Sequence, residues 1–169
     1  MAIVIFSCQN TQDNNRETTK VDTKEATTQI NEVLNNWHNA AANADFEAYF
    51  DFLTKDGIFI GTDARENWGI EDFKKFSKPY FDRGTAWNFK SLDRNIYPSE
   101  KAPVAWFDEL LETWMGICRG SGVMVKENGE WKIQHYVLSV TIPNDNINEV
   151  VRINKEIDSS LVLELRKAK

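Results

Sequence analysis

Four segments in the second half of the chain carry strand-like patterning: Trp87 to Tyr97, Val104 to Glu112, Cys118 to Lys126 and Trp131 to Ile142. Only short breaks separate them, at Pro98 to Lys101, Thr113 to Gly116 and Glu127 to Gly129. The last break contains Asn128-Gly129, a strong signal for a tight hairpin. Connections this short join antiparallel neighbours, because a parallel pair needs a long crossover. The second half is therefore read as a meander of long antiparallel strands. Such a sheet has an apolar face that something else must cover.

The first half supplies the cover. From Lys24 the apolar spacing is helical, with Ile30, Leu34, Trp37 and Ala41 on one stripe. Asp45 follows a break at Asn43-Ala44 and is placed to cap a second helix, which carries Phe46, Tyr49, Phe50, Phe52 and Leu53. Lys55-Asp56-Gly57 turns into a short strand, Ile58 to Ile60. A third helix is predicted from Ile70 to Asp82, with Pro79 disturbing its last turn. Pro143-Asn144-Asp145 stops the last strand and starts a terminal helix bearing Ile147, Val150, Val151 and Ile157. Helices followed by a run of strands give an α+β order, with the helices on one face of a curved sheet and a cavity between the layers.

Size and charge narrow the function classes. A chain of 169 residues is long enough for one domain with a sizeable core. Its net charge of −6 argues against nucleic acid as a partner, since a binder needs a basic face to neutralise phosphates and no long Lys/Arg cluster is present. The two cysteines, Cys8 and Cys118, show no metal-ligand spacing, so no metal site is expected, and the absence of a phosphate-binding glycine loop leaves no cofactor expected either.

The opening Met1 to Cys8 raises a separate question. Ile5-Phe6-Ser7-Cys8 resembles the bacterial lipobox, in which the cysteine is lipidated. A signal of that kind needs a basic start and about 7–15 apolar residues, whereas Ala2 to Phe6 alone precede Ser7. The expectation is a shortened signal remnant and polar tether over residues 1–23, a folded domain over 24–157 and a charged tail over 158–169. On that reading the protein is exported and lipid-anchored through Cys8 if the native start lies upstream, and cytoplasmic as written. The lipid anchor is its one expected link to a membrane.

Four runs in this order resemble the nuclear-transport-factor-2-like superfamily, and its SnoaL-like branch in particular. They are Phe59 to Asp63 with Trp68-Gly69, Ala105 to Glu109, Arg119 to Val123, and Gly129 to Tyr136 with Ser139. The resemblance covers residues 24–154. It implies a cone-shaped α+β fold with an aromatic-lined pocket and frequent homodimerisation through the sheet. Enzymatic relatives of this kind work with acid/base side chains and without a metal; other relatives have no known activity, so fold alone does not carry function.

Candidate site residues follow from strand alternation. Trp131, Ile133, His135 and Ser139 share one face, which points His135 inward as a candidate general base. Glu109 shares an apolar face with Ala105, Phe107 and Leu111, where a carboxylate needs a partner. Arg119 on the next strand is the expected one, either as a structural pair or as a grip on a ligand. Asp108 points to the opposite face, and which face is buried stays open. Arg94 invites the same two readings as Arg119. Asp63 either overhangs the pocket mouth or caps the next helix. His38 is read as exposed and without a role. Trp37, Tyr49, Phe59, Trp68, Tyr80 and Trp87 are expected around the cavity, where they would suit an apolar or ring-shaped ligand.

Three readings of function stand. The first is a pocket domain that binds a small, largely apolar molecule. The second is a cofactor-free isomerase, cyclase or dehydratase, with His135 or Glu109 as base and Arg119 or a tyrosine polarising an oxygen. The third is a dimeric interaction module whose pocket is filled by its own side chains.

Overall fold

A computed structural model describes residues 21–168. The elements follow in the order α1 (Thr23–Ala42), α2 (Phe46–Asp51), β1 (Leu53–Ile60), β2 (Asn67–Gly69), α3 (Ile70–Asp82), β3 (Lys90–Pro98), β4 (Val104–Thr113), β5 (Gly116–Glu127), β6 (Glu130–Val140) and α4 (Ile147–Lys167).

Local chemistry sets most of the boundaries. The Asp22 carboxylate accepts the Lys24 and Glu25 backbone N–H groups at 2.9 and 3.1 Å, satisfying orphan donors at the start of α1. Asp45 does the same for α2, accepting from Ala48 N–H at 3.1 Å. Asn128 and Gly129 both take positive φ, 51° and 91°, which the tight β5–β6 hairpin requires. Pro79 stands inside α3, yet the helix runs on to Asp82; at this late position it removes one hydrogen bond rather than ending the helix.

All strands join one sheet in the order β2-β1-β6-β5-β4-β3. The expected antiparallel meander accounts for β3 to β6. The sheet as a whole is mixed, because β1 lies parallel to β6. The two are far apart in sequence, with α3 among the elements between them, so the crossover length that parallel pairing needs is present. Helix α1 packs over β3 and β6, and α3 over β1 and β2. The core fills the space between: Ile30, Leu34 and Trp37 from α1 meet Phe107, Leu111, Met124, Ile133 and Tyr136 from the sheet.

Several segments depart from the sequence reading. Helix α2 ends at Asp51, so Leu53 and the expected turn Lys55-Asp56-Gly57 belong to β1. Strand β3 starts at Lys90, so Trp87 and Phe89 precede it as unpaired chain. Helix α4 continues through the stretch expected as a charged tail, to Lys167, since no Gly or Pro interrupts it. Strand β6 carries a bulge: Val123 pairs with His135 while the next residue, Met124, pairs with Ile133. The extra residue, Gln134, shifts the alternation by one. Trp131 and Ile133 are buried before it, and Tyr136 and Leu138 after it.

Candidate functional site

The bulge decides which side chains reach the interior. It turns His135 onto the outer face, opposite Val123 and Ile58, and brings Tyr136 inward in its place. The expectation that His135 faces the pocket is therefore corrected, because alternation was counted across an inserted residue. Arg119 is corrected as well. It pairs in register with Leu110 and is exposed on the outer face, whereas Glu109 lies opposite Gly120.

Glu109 is inward and fully buried, as its apolar face predicts. Its partners are different residues. Arg94 on β3 donates from Nε and Nη2 to Oε2 at 2.9 and 2.8 Å. His38 on α1 places Nε2 2.8 Å from Oε1, and the Tyr136 hydroxyl donates to the same oxygen at 3.2 Å. Arg94 reaches on to the side chains of Asn31 and Asn35 at 3.3 and 2.8 Å. Burial pushes the Glu109 carboxyl pKa up; the hydrogen bonds and charges of His38 and Arg94 outweigh it and hold the group below its usual value. Burial, then the charge of Glu109, pushes the Tyr136 hydroxyl well above its ordinary pKa. Gly120 makes the arrangement possible, because a Cβ there would overlap the Tyr136 hydroxyl. The result is a closed ionic knot in which both carboxylate oxygens are occupied.

The reading of His38 as exposed and without a role is corrected: it is buried and bonded to Glu109, although its neighbour Trp37 dominates the apolar stripe. A signal was present one step around the helix: Asn31, Asn35 and His38 recur at spacings of four and three, which places them on one face. All three bind the knot.

The open space lies elsewhere. A cavity of about 300 Å³ is lined by Phe59, Trp68, Phe73, Phe76, Tyr80 and Trp87, with Phe89, Trp114, Met115 and Leu138 completing its apolar wall. Its polar contributions come from Thr62 and Glu66 besides the ring N–H and O–H groups. Helix α3 provides Phe73, Phe76 and Tyr80, whose three- and four-residue spacing puts them on one face. Phe59 stacks on Phe73 at 3.9 Å and Trp68 on Phe76 at 4.4 Å between centroids. The unpaired stretch before β3 contributes Trp87 and Phe89, and the β4–β5 turn contributes Trp114, which is 84 % exposed.

Four of the six expected pocket aromatics thus line the cavity: Phe59, Trp68, Tyr80 and Trp87. Trp37 and Tyr49 do not. They stack on one another in the core at 5.1 Å, and Trp37 meets the Tyr136 edge at 4.7 Å. Their helices point them at the sheet interior rather than at the open end. Asp63 is exposed and accepts from Arg65 N–H at 2.9 Å, forming the turn between β1 and β2. It neither lines the cavity nor caps α3, whose N-cap is Gly69 without a side-chain bond. Asp108 is outward, near Asn95 and Tyr97. Cys118 is buried and free, and Cys8 lies outside the described residues. Among the described residues no group of three His, Cys, Asp or Glu side chains is placed to hold a metal, and no helix is long and apolar enough to cross a membrane.

The geometry has counterparts. The SnoaL-like domain model matches residues 30–143. The chain belongs to the SnoaL-like domain family. Solved structures agree on the fold of this family member. An NTF2-like protein of unknown function from Pseudomonas putida superposes with a TM-score of 0.62 at 12 % identity, covering 73 % of this chain and 92 % of the other. An NTF2-like protein of unknown function from Methylobacillus flagellatus gives 0.57 at 24 % identity, covering 74 % and 98 %. The association domain of C. elegans CaMKII gives 0.56 at 21 % identity, covering 69 % and 97 %. At these identities the likeness establishes the cone-like α+β fold alone. No curated protein matches the chain.

Proposed function

We propose that this SnoaL-like domain binds a small, largely apolar, ring-bearing molecule in the aromatic cavity. One observation carries the reading: the cavity is walled by aromatic rings while Glu109, Arg94, His38 and Tyr136 are tied to one another outside it. Ring-rich walls supply apolar contact and stacking, and a few polar groups orient the ligand. The acid/base alternative has less support, because His135 and Arg119 face outward and Glu109 has no oxygen left for a substrate.

The test is a titration followed by tryptophan fluorescence, with 2-naphthol as probe and Phe76→Ala as control. Phe76 is 38 % exposed, so its removal leaves the core in place. Saturable binding that weakens about tenfold in Phe76→Ala supports the reading, in line with the loss of one large buried contact. Binding that is non-saturable or unchanged in the variant defeats it.

A second reading concerns assembly, and one specific feature favours it. Helix α4 buries none of its residues, although Ile147, Val151, Ile157, Val162 and Leu165 line one side of it by helical spacing. On the outer sheet face Tyr97 and Trp106 are also exposed. We propose that a second copy of the chain covers these surfaces, giving a homodimer. Sedimentation of the full chain and of a variant with Val151→Asp and Ile157→Asp tests this: a dimer that dissociates in the variant supports it, and a monomeric parent refutes it. The lipobox-like Ile5 to Cys8 is likewise offered as an anchor, to be tested by the mass of Cys8-containing peptides from protein made with its native upstream sequence.

A further inference from the structure

The cavity has a charge as well as a shape. Among the described residues, Glu66 is the one charged side chain that lines it. The loop between β1 and β2 builds Glu66 into place: Gly61 N–H donates to the Glu66 carbonyl at 3.0 Å, and Glu66 N–H donates to the Asp63 carbonyl at 2.9 Å. The Asp63 N–H donates to Glu66 Oε2 at 3.1 Å, fixing the carboxylate itself. A side chain at Gly61 would overlap that carboxylate, so the glycine leaves it room against the backbone. No described residue forms an ion pair with it. The nearest cation in sequence, Arg65, reaches away to Glu164 of α4 at 3.1 Å.

The rings add to the same polarity. An aromatic face is negative, and several faces around one space attract a cation most strongly where water is excluded. Trp68, Phe76, Tyr80 and Trp87 line the same space as Glu66, with Trp68 and Phe76 stacked on one another at 4.4 Å. Tyr80 already takes one cation: the Arg83 guanidinium sits over its ring at 5.0 Å. Arg83 itself does not line the cavity.

We propose that the ligand of this cavity is an organic cation, an alkylated ammonium carried on an apolar body. This rests on the aromatic cavity being the ligand site. A neutral apolar molecule would cover the Glu66 carboxylate without compensating its lost water. An anion would meet a carboxylate and the negative ring faces. A cation with apolar substituents satisfies both the carboxylate and the rings.

The test compares three probes on the full chain: benzyltrimethylammonium, its neutral isostere neopentylbenzene, and the anion phenylacetate. Binding is followed by tryptophan fluorescence at low salt, and folding of every variant is checked by circular dichroism. The cation should bind at least tenfold more tightly than the neutral isostere, and phenylacetate should be weakest. Glu66→Gln keeps an acceptor for the Asp63 N–H and should weaken the cation about five- to tenfold without changing the isostere. Phe76→Leu keeps apolar bulk while removing a ring, and should also weaken the cation selectively. Equal or tighter binding of neopentylbenzene or phenylacetate overturns the cation assignment and leaves the cavity as a ligand site. Cation binding that ignores both substitutions overturns it too. If none of the three binds, the cation assignment and the ligand-site reading fall together.

Discussion

Two neighbouring regions of this domain handle polarity in opposite ways. Around Glu109, charges are concentrated, buried and mutually satisfied: Arg94, His38 and Tyr136 occupy both carboxylate oxygens. In the cavity, rings dominate and Glu66 is the only charged lining residue among those described. The two regions touch through Phe59 and Tyr136, whose rings stack at 5.5 Å. Phe59 faces the cavity and Tyr136 faces the knot. The residues best equipped for chemistry are thus used to hold α1, β3, β4 and β6 together, while the open space is left to rings. A buried carboxylate in a pocket-bearing fold is then evidence about scaffolding until it is shown to touch the pocket.

The sharpest way to break this contrast is to remove Glu109. Glu109→Ala leaves the Arg94 guanidinium buried without its counter-charge and should cost about 3–5 kcal/mol, read from the urea midpoint at constant slope. A loss below about 1 kcal/mol would mean the knot opens to water and is no scaffold. A second substitution probes the fit inside it. Gly120→Ala introduces a Cβ against the Tyr136 hydroxyl and should cost about 1–3 kcal/mol. Tyr136→Phe removes that hydroxyl, so the double variant should recover part of the loss and show strong coupling. Additive losses would show that the two groups do not compete for the same space.

Acid provides a gentler probe. The folded state holds the Glu109 carboxyl below its usual value of 4.5, so the ionised form favours the fold. That contribution is complete above the unfolded value and fades as pH falls through the depressed folded one. Stability of the parent should therefore drop below about pH 4.5 more steeply than that of Glu109→Gln. Denaturant midpoints between pH 3 and 7 decide it; parallel curves would remove Glu109 as the source.

Much of this architecture was legible from local chemistry. The Ile30, Leu34, Trp37 and Ala41 stripe, the Asp45 cap and the Asn128-Gly129 turn each act within a few residues, and each sits where its pattern placed it. The inward direction of Glu109 followed from its apolar neighbours on β4. Its partner did not. Arg119 is adjacent in chain order, but register sets Gly120 opposite Glu109, and Arg94 arrives from the strand on the other side. The contribution of His38 needed the packing of α1 on the sheet, a contact between residues 71 positions apart. A single extra residue, Gln134, exchanged His135 for Tyr136; a one-residue slip reverses every face beyond it.

That exchange supplies the smallest expected effect and a demanding test of the contrast. The bulge puts His135 on the outer face with Arg119, where they touch neither the knot nor the cavity. His135→Gln and Arg119→Gln should then each change stability by no more than about 0.5 kcal/mol. Both variants should leave probe binding in the cavity at the parental level. Loss of binding in His135→Gln with an unchanged urea midpoint would place the imidazole inside. The alternation of β6 would then run unbroken from Trp131, and Tyr136 would be withdrawn from Glu109. The knot and the cavity would merge into one site with a base in it, and the acid/base reading would regain its ground. A null result in both variants keeps the two regions separate, with the sheet's chemistry-bearing residues divided between an outer face and a sealed interior.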